Sequence, residues 1–253
     1  MRLILAHESD ASARALASRW GSEALLLTVA DLHRARWCLE LDQDGRARTG
    51  LASAAGTPLP VDGVVNRLGV ITPADLPRVH PEDRQYAAAE LTAFMLAWLD
   101  ASPVPVLNRP GAGSLNGPAW YPEQWAAAAV AVGLQVPGIR RRVALAAAGG
   151  CPAPDPARGD VASARVVVGT CFGDVHPAVG ERLCELARFA GTPLLAATVE
   201  GHGPAARVRN LSVWPDLADP VVSDAVAAAL RPGAVAAAPR PAGEVRRAPV
   251  AVS

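Results

Sequence analysis

Gly111-Ala-Gly113-Ser-Leu-Asn-Gly117 follows an apolar run and precedes a helical pattern. In that setting glycines can let backbone N–H groups approach a phosphate. The spacing is GxGxxxG, and Pro118 and Pro122 interrupt the helix start, which is the pattern of a connecting loop. Cys171 precedes His176 by five positions. An imidazole beside the sulfur would hold a thiolate, but nothing else marks this cysteine, and a buried thiol at a strand end is expected. Cys184 falls on a helix beside Leu183 and Leu186 and reads as core. Glu200, His202, Asp216 and Asp219 could be drawn as a metal cluster, yet their spacing fits no ligand rule. Arg67 stands at the carboxyl end of a predicted strand, where ligands collect in open α/β sheets. It either binds an anion there or pairs with Glu90 or Asp62. Trp120, Tyr121 and Trp125 form an aromatic group that lines a pocket or packs into the core.

The elements that must place these residues follow from periodicity. Residues 2–7, 24–29, 61–68 and 104–107 read as strands, with a helix over 11–19 capped by Ser9 or Asp10. This β-α-β order predicts a parallel sheet with a right-handed crossover. A hairpin over 36–51 turns at Asp44-Gly45. The strongest helical pattern runs over 81–99, and another over 122–132 ends at Gly133. Residues 147–159 are rich in proline and glycine and read as a linker. Strands over 166–170, 193–199 and 208–213 and helices over 177–190 and 219–230 complete the pattern, before a proline-containing tail.

Composition narrows the classes of function. The chain has 253 residues, 51% apolar and 19% charged, which is a folded composition. Its 24 acids balance 24 bases, so no net field draws it to nucleic acid or an anionic membrane. Every base is arginine; no lysine occurs, and a P-loop is therefore impossible. Four scattered cysteines and five dispersed histidines give neither a disulfide framework nor an HExxH site. With no signal peptide or spanning segment in the pattern, a cytoplasmic location is expected.

Three pieces in order resemble the ATP-grasp ligases, the fold of glutathione synthetase and ribosomal-protein glutamate ligases. Val64-Val-Asn66-Arg67-Leu68, a helix with Glu90, and Leu107-Asn108-Arg109-Pro110 resemble the preceding domain of that family. Residues 122–137, from Pro122-Glu-Gln-Trp125 through Gly133 to Pro137, are similar to its lysine-headed helix and turn. Residues 181–199 and Val208-Arg-Asn210-Leu-Ser212-Val-Trp-Pro215-Asp-Leu217 resemble its last helix, strand and E-x-N-x-x-P element. The resemblance implies an α/β chain in two parts. A pre-ATP-grasp-like domain of parallel or mixed sheet spans 1–110, and a shortened ATP-grasp-like α+β domain spans 111–230; the tail over 231–253, with its prolines and little periodicity, is expected to be disordered.

The departures from that family govern the expected function. The family has lysine where this chain has Pro122, and further lysines hold the phosphates. Its E-x-N supplies oxygens to Mg2+, but either register here loses the carboxylate around Asn210. The stretch after Pro137 is short for the family's lid and adenine-binding strands. Arginine is no neutral replacement for lysine. The expectation is therefore a non-catalytic protein, with no catalytic residue and no cofactor, that binds a partner enzyme, a peptide or a small metabolite. The alternative is an ATP-dependent carboxylate–amine ligase that uses arginine. Arg67, Arg109, Arg140, Arg141 and Arg142 would then contact the nucleotide. Asn210, Ser212 and Asp216 would lie near a metal, and ATP and Mg2+ would be required. A dinucleotide-binding module rests on Gly111–Gly117 alone.

Overall fold

The computed structural model describes residues 1–138 and 160–231. Three of the arginines expected to contact a nucleotide, Arg140, Arg141 and Arg142, lie outside the described residues, so the structure places neither them nor any contact of theirs. The predicted linker over 147–159, Cys151 and nearly all of the predicted tail also lie outside the described residues. In chain order the elements are β1 (Arg2–Ala6), α1 (Ala11–Trp20), β2 (Ala24–Thr28), β3 (Ala35–Leu41), β4 (Ala47–Ser53), β5 (Gly63–Asn66), α2 (Arg84–Ala101) and β6 (Val106–Leu107). They continue with α3 (Pro122–Ala131), β7 (Val161–Val167), β8 (Thr170–Phe172), α4 (Pro177–Phe189), β9 (Leu194–Glu200), β10 (Arg207–Ser212) and α5 (Pro220–Ala229).

The first sheet is parallel, in the order β2-β1-β5-β6. β1 is apolar without interruption because both of its faces are covered. Leu3 and Leu5 enter a core with α2, while Ile4 and Ala6 enter a second core with α1 and α5. Asp10 caps α1 by accepting the Ala13 amide at 2.9 Å. The β3–β4 hairpin turns at Asp42–Arg46 with Gly45 at φ 74°. It packs on α2 through Trp37 and Trp98, whose rings meet edge to face at 5.0 Å.

The second sheet is antiparallel, in the order β10-β9-β7-β8. One face buries Ala164, Val166, Leu195, Ala197 and Val199 against Trp125, Ala128 and Ala129 of α3 and Leu183 and Leu186 of α4. α5 returns to the first sheet. Its Val222 and Val226 share a core with Val65 and Leu107, and Val167 and Leu194 of the second sheet reach the same core. The two sheets are thus joined by a common apolar layer. No helix among the described residues is long and apolar enough to cross a membrane.

Two elements differ from the sequence expectation. The helix predicted from residue 81 begins at Arg84, after a turn closed by the Asp83 amide on the His80 carbonyl. The strand predicted over 166–170 is instead the corner of a hairpin: Val167 pairs with Thr170 across Val168 (φ 45°) and Gly169 (φ 82°). A two-residue hairpin loop of this kind needs positive φ at both positions. A β-branched valine is a poor choice for one of them, so its presence hid the turn.

Candidate functional site

The carboxyl ends of β1 and β5 meet the segment after β10, and polar side chains cross that junction. Arg67, whose side chain is 4% exposed, donates from Nε to Asp10 Oδ2 at 2.6 Å and from Nη2 to Asp10 Oδ1 at 3.2 Å. Its Nη1 donates to the Pro215 carbonyl at 2.9 Å. Asp10, and neither Glu90 nor Asp62, is the partner. Asp62 instead takes the amino terminus of Met1. Burial pushes the Asp10 carboxyl up. The hydrogen bond and charge of Arg67, helped by the Ala13 and Ser12 amides, outweigh burial and hold it below the ordinary value. Trp214 Nε1 donates to the Arg67 carbonyl at 3.3 Å.

Asn66 and Asn108 form the second part of the junction. Asn66 Nδ2 donates to the carbonyls of Asn108, at 2.9 Å, and Leu115. Asn108 Nδ2 donates to the carbonyls of Leu194 and Val213, each at 3.0 Å. Its Oδ1 accepts from Thr192 Oγ1 and from the Leu194 amide, each at 2.8 Å. Next to it, Arg109 turns back to the end of α2. Its Nη1 donates to the carbonyls of Leu99 and Asp100, and its Nη2 to those of Ser102 and Val104, at 2.8–3.1 Å. A helix end leaves such carbonyls without partners, and a guanidinium both bonds them and opposes the helix dipole.

The glycine-rich stretch bonds to itself. Gly111 and Ser114 exchange amide–carbonyl bonds at 3.1 and 3.3 Å, and the Gly117 amide donates to the Arg109 carbonyl at 3.0 Å. A Cβ on Gly111 would stand 2.7 Å from the Gly117 carbonyl oxygen, so glycine is needed there for close backbone approach. With these amides turned inward, the loop is a connection and not a phosphate cradle.

Of the three residues that the resemblance sets near a metal, Asn210 and Ser212 line one cleft, and Asp216 is not among its lining residues. Asn210 is exposed after a bulge in β10 that falls between Val208 and Asn210. Ser212 Oγ accepts the Trp214 amide at 3.1 Å. Asp216 Oδ1 accepts the Ala218 amide at 3.0 Å, and its other oxygen lies 3.7 Å from Arg165 Nη2. Glu200 pairs with Arg209, His202 with Asp160, and Asp219 caps α5. Among the described residues no three of His, Cys, Asp and Glu are grouped as a metal would need. A hard cation such as Mg2+ takes several oxygens, usually with carboxylate among them. An exposed amide and a hydroxyl already in use do not fit that donor set.

Cys171 and His176 do not form a catalytic pair. His176 is the cap of α4, accepting the Ala178 amide on Nδ1 at 3.3 Å. Burial, and to a smaller degree the neighbouring Cys184, pushes the Cys171 thiol up to about 11. Its thiolate fraction near neutral pH is then about a hundredfold below that of an ordinary cysteine. Iodoacetamide at pH 8, read by peptide mass, should label the half-buried Cys171 far more slowly in the native than in the unfolded protein. Equal rates in the two would contradict the raised thiol.

A cleft of about 350 Å3 opens between α3 and β10. Trp120 and Trp125, edge to face at 4.9 Å, stand on one wall with Pro122 and Val136. Asn210, Leu211 and Ser212 form the opposite wall, and Trp214 and Val70 close the end toward the first sheet. The sequence picks out Trp120 and Trp125. Trp214 and Val70 join them only through the topology, as two large apolar residues that the fold leaves exposed, at 46% and 61%.

No protein-family model matches the chain, and no curated protein matches it in sequence. Solved structures do match it in shape. An ATP-grasp ligase, PsnB, complexed with its precursor peptide and AMPPNP, has a TM-score of 0.59 at 13% identity, over 89% of this chain and 97% of that one. The macrocyclase MdnC from Microcystis aeruginosa, bound with the precursor peptide MdnA, has a TM-score of 0.61 at 13% identity, over 90% and 98%. A RiPP-associated ATP-grasp ligase from Chryseobacterium gregarium, in complex with ADP and a leader and core peptide, has a TM-score of 0.60 at 10% identity, over 90% and 96%. At these identities the likeness is one of architecture, and the architecture of this chain is the ATP-grasp ligase fold.

Proposed function

We propose that this chain is a non-catalytic protein of the ATP-grasp fold, a pseudoenzyme. It holds a peptide, or a peptide segment of a partner protein, in the cleft between α3 and β10, where Val70 of an N-terminal part (1–110) meets the part that follows it (111–230). One observation carries the reading: the described arginines best placed to grip a phosphate are committed to the fold. Arg67 is bonded to Asp10 and to the Pro215 carbonyl, and Arg109 to four carbonyls at the end of α2. The chain has no lysine to replace them. Phosphoryl transfer depends on cations positioned around the phosphates. The peptide part of the reading draws support from the solved structures of this fold reported above, two of which hold precursor peptides and one a leader and core peptide.

A second reading is an ATP-dependent carboxylate–amine ligase, with Arg140 and Arg141 as its nucleotide contacts in place of the committed Arg67 and Arg109. It is favoured by the AMPPNP and ADP held in two of those same structures. Thermal unfolding with and without MgATP separates the two. A ligand at 100 times its Kd adds about 2.7 kcal/mol to the folded state, which a domain of this size registers as a rise of several degrees. An unchanged midpoint at millimolar MgATP is expected. A rise of that size would support the ligase.

A further inference from the structure

β10 is the outer strand of its sheet, and β9 pairs with only one of its edges. At the start of the other edge the chain supplies its own partner. The Val208 amide donates to the Gln135 carbonyl at 2.7 Å, and Gln135 and Arg207 form a parallel bridge. This pairing stops two residues later at Pro137, which has no N–H to give. Further along, among the described residues, no backbone bond from another segment reaches Asn210, Leu211 or Ser212 on the cleft side. A strand edge left in this state is a template on which an extended chain can be added.

The chemistry of the cleft narrows what that chain is. Among its described lining residues the one charged side chain is Arg209, and Glu200 Oε2 lies 2.9 Å from its Nε. The charge in the wall is thus already balanced, and an acidic or basic ligand gains nothing from it while losing its water. The rest of the wall presents indole rings, which suit a flat apolar or proline side chain. We propose that an uncharged, extended peptide segment adds to the second sheet beside Asn210–Ser212. It runs parallel to β10 and lays an aromatic or proline side chain against Trp120 and Trp214. This rests on the peptide-binding reading above and specifies how the peptide is held.

The test uses the full chain and end-capped five-residue peptides, with valine on both sides of a central Trp, Pro, Leu, Glu or Lys. The indole N–H signals of the protein's six tryptophans are followed by NMR during each titration, with Trp120→Ala and Trp214→Ala assigning two of them. Neutral probes are expected to move those two signals and to bind roughly tenfold or more tightly than the Glu and Lys probes, since only the charged centres must be desolvated without a partner. The decisive arm alters the peptide and leaves the protein alone. N-methyl groups are placed on alternate amides of the tryptophan probe, in one parity and then in the other. A strand turns every second N–H toward its neighbour, so one parity should weaken binding roughly tenfold and the other by less than about twofold. Failure of every probe to saturate, equal loss in both parities, or preference for a charged centre would each overturn strand addition. If MgATP is still not turned over, those results remove this inference alone. ADP formation would instead remove the reading on which it rests.

Discussion

Replacing Arg67 by alanine should destabilise the folded chain by about 3–5 kcal/mol, because it leaves the Asp10 carboxylate buried without its partner. The two side chains are 4% and 13% exposed, so water can replace little of what is lost. The Pro215 carbonyl loses its donor as well. Arg67→Lys should recover little of this, since an ammonium cannot reach two carboxylate oxygens and a carbonyl in one plane. The pair also gives stability a definite dependence on pH. A carboxyl held lower in the folded chain than in the unfolded one, as Asp10 is, stabilises fully above its ordinary value. That contribution is lost as pH falls through the folded value. The natural chain should therefore weaken below about pH 4, and Arg67→Ala should weaken less steeply over the same range. Urea unfolding at pH 7, 4 and 3 measures both. A loss below about 1 kcal/mol at pH 7, or identical acid slopes, would contradict this role for Arg67.

Asn108→Ala should be at least as damaging. Asn108 has no exposed surface and sits at φ 59°. Its side chain bonds the Leu194 and Val213 carbonyls, the Leu194 amide and the Thr192 hydroxyl. Each buried group left without a partner costs about 1–3 kcal/mol, and the left-handed backbone adds about 1–2 kcal/mol for alanine. A total of about 4 kcal/mol or more approaches the stability of a whole domain. Asn108→Gly separates the two terms, because glycine accepts the backbone angle and still lacks the amide. Both variants should lose most of their folded population in mild denaturant, with glycine about 1 kcal/mol the better. A glycine variant as stable as the natural chain would show that the amide does not fasten the two sheets.

These two side chains also mark how far the sequence can be read. The first sheet was legible because β1 is continuously apolar and Asp10 stands where a cap belongs. α3 was legible because Pro122 opens it and Gly133, at φ 78°, closes it. The hairpin corner at Val168 was not, since the residue type argues against the backbone angle it adopts. Arg67 was visible as a charge at a strand end, but Asp10 lies 57 positions away, and no local pattern connects them. Arg109 followed the same logic. The family resemblance set it at a nucleotide, whereas its guanidinium bonds carbonyls at and after a helix end that only the chain's return from α2 brings within reach. The aromatic cleft was half legible: Trp120 and Trp125 stand close in sequence, while Trp214 comes from the segment that follows β10. Asn66 and Asn108 show the same division. Each could be read as the end of a strand, and neither gave a sign of the distant carbonyls it bonds.

Phosphorus-31 NMR of the full chain with MgATP, recorded over hours with and without the tryptophan-centred peptide, tests the absence of phosphoryl transfer most directly. The three phosphate resonances of ATP are expected to persist unchanged in both samples while the peptide stays bound. Growth of ADP and phosphate signals that depends on the protein would contradict a non-catalytic role, most clearly if the peptide accelerated it.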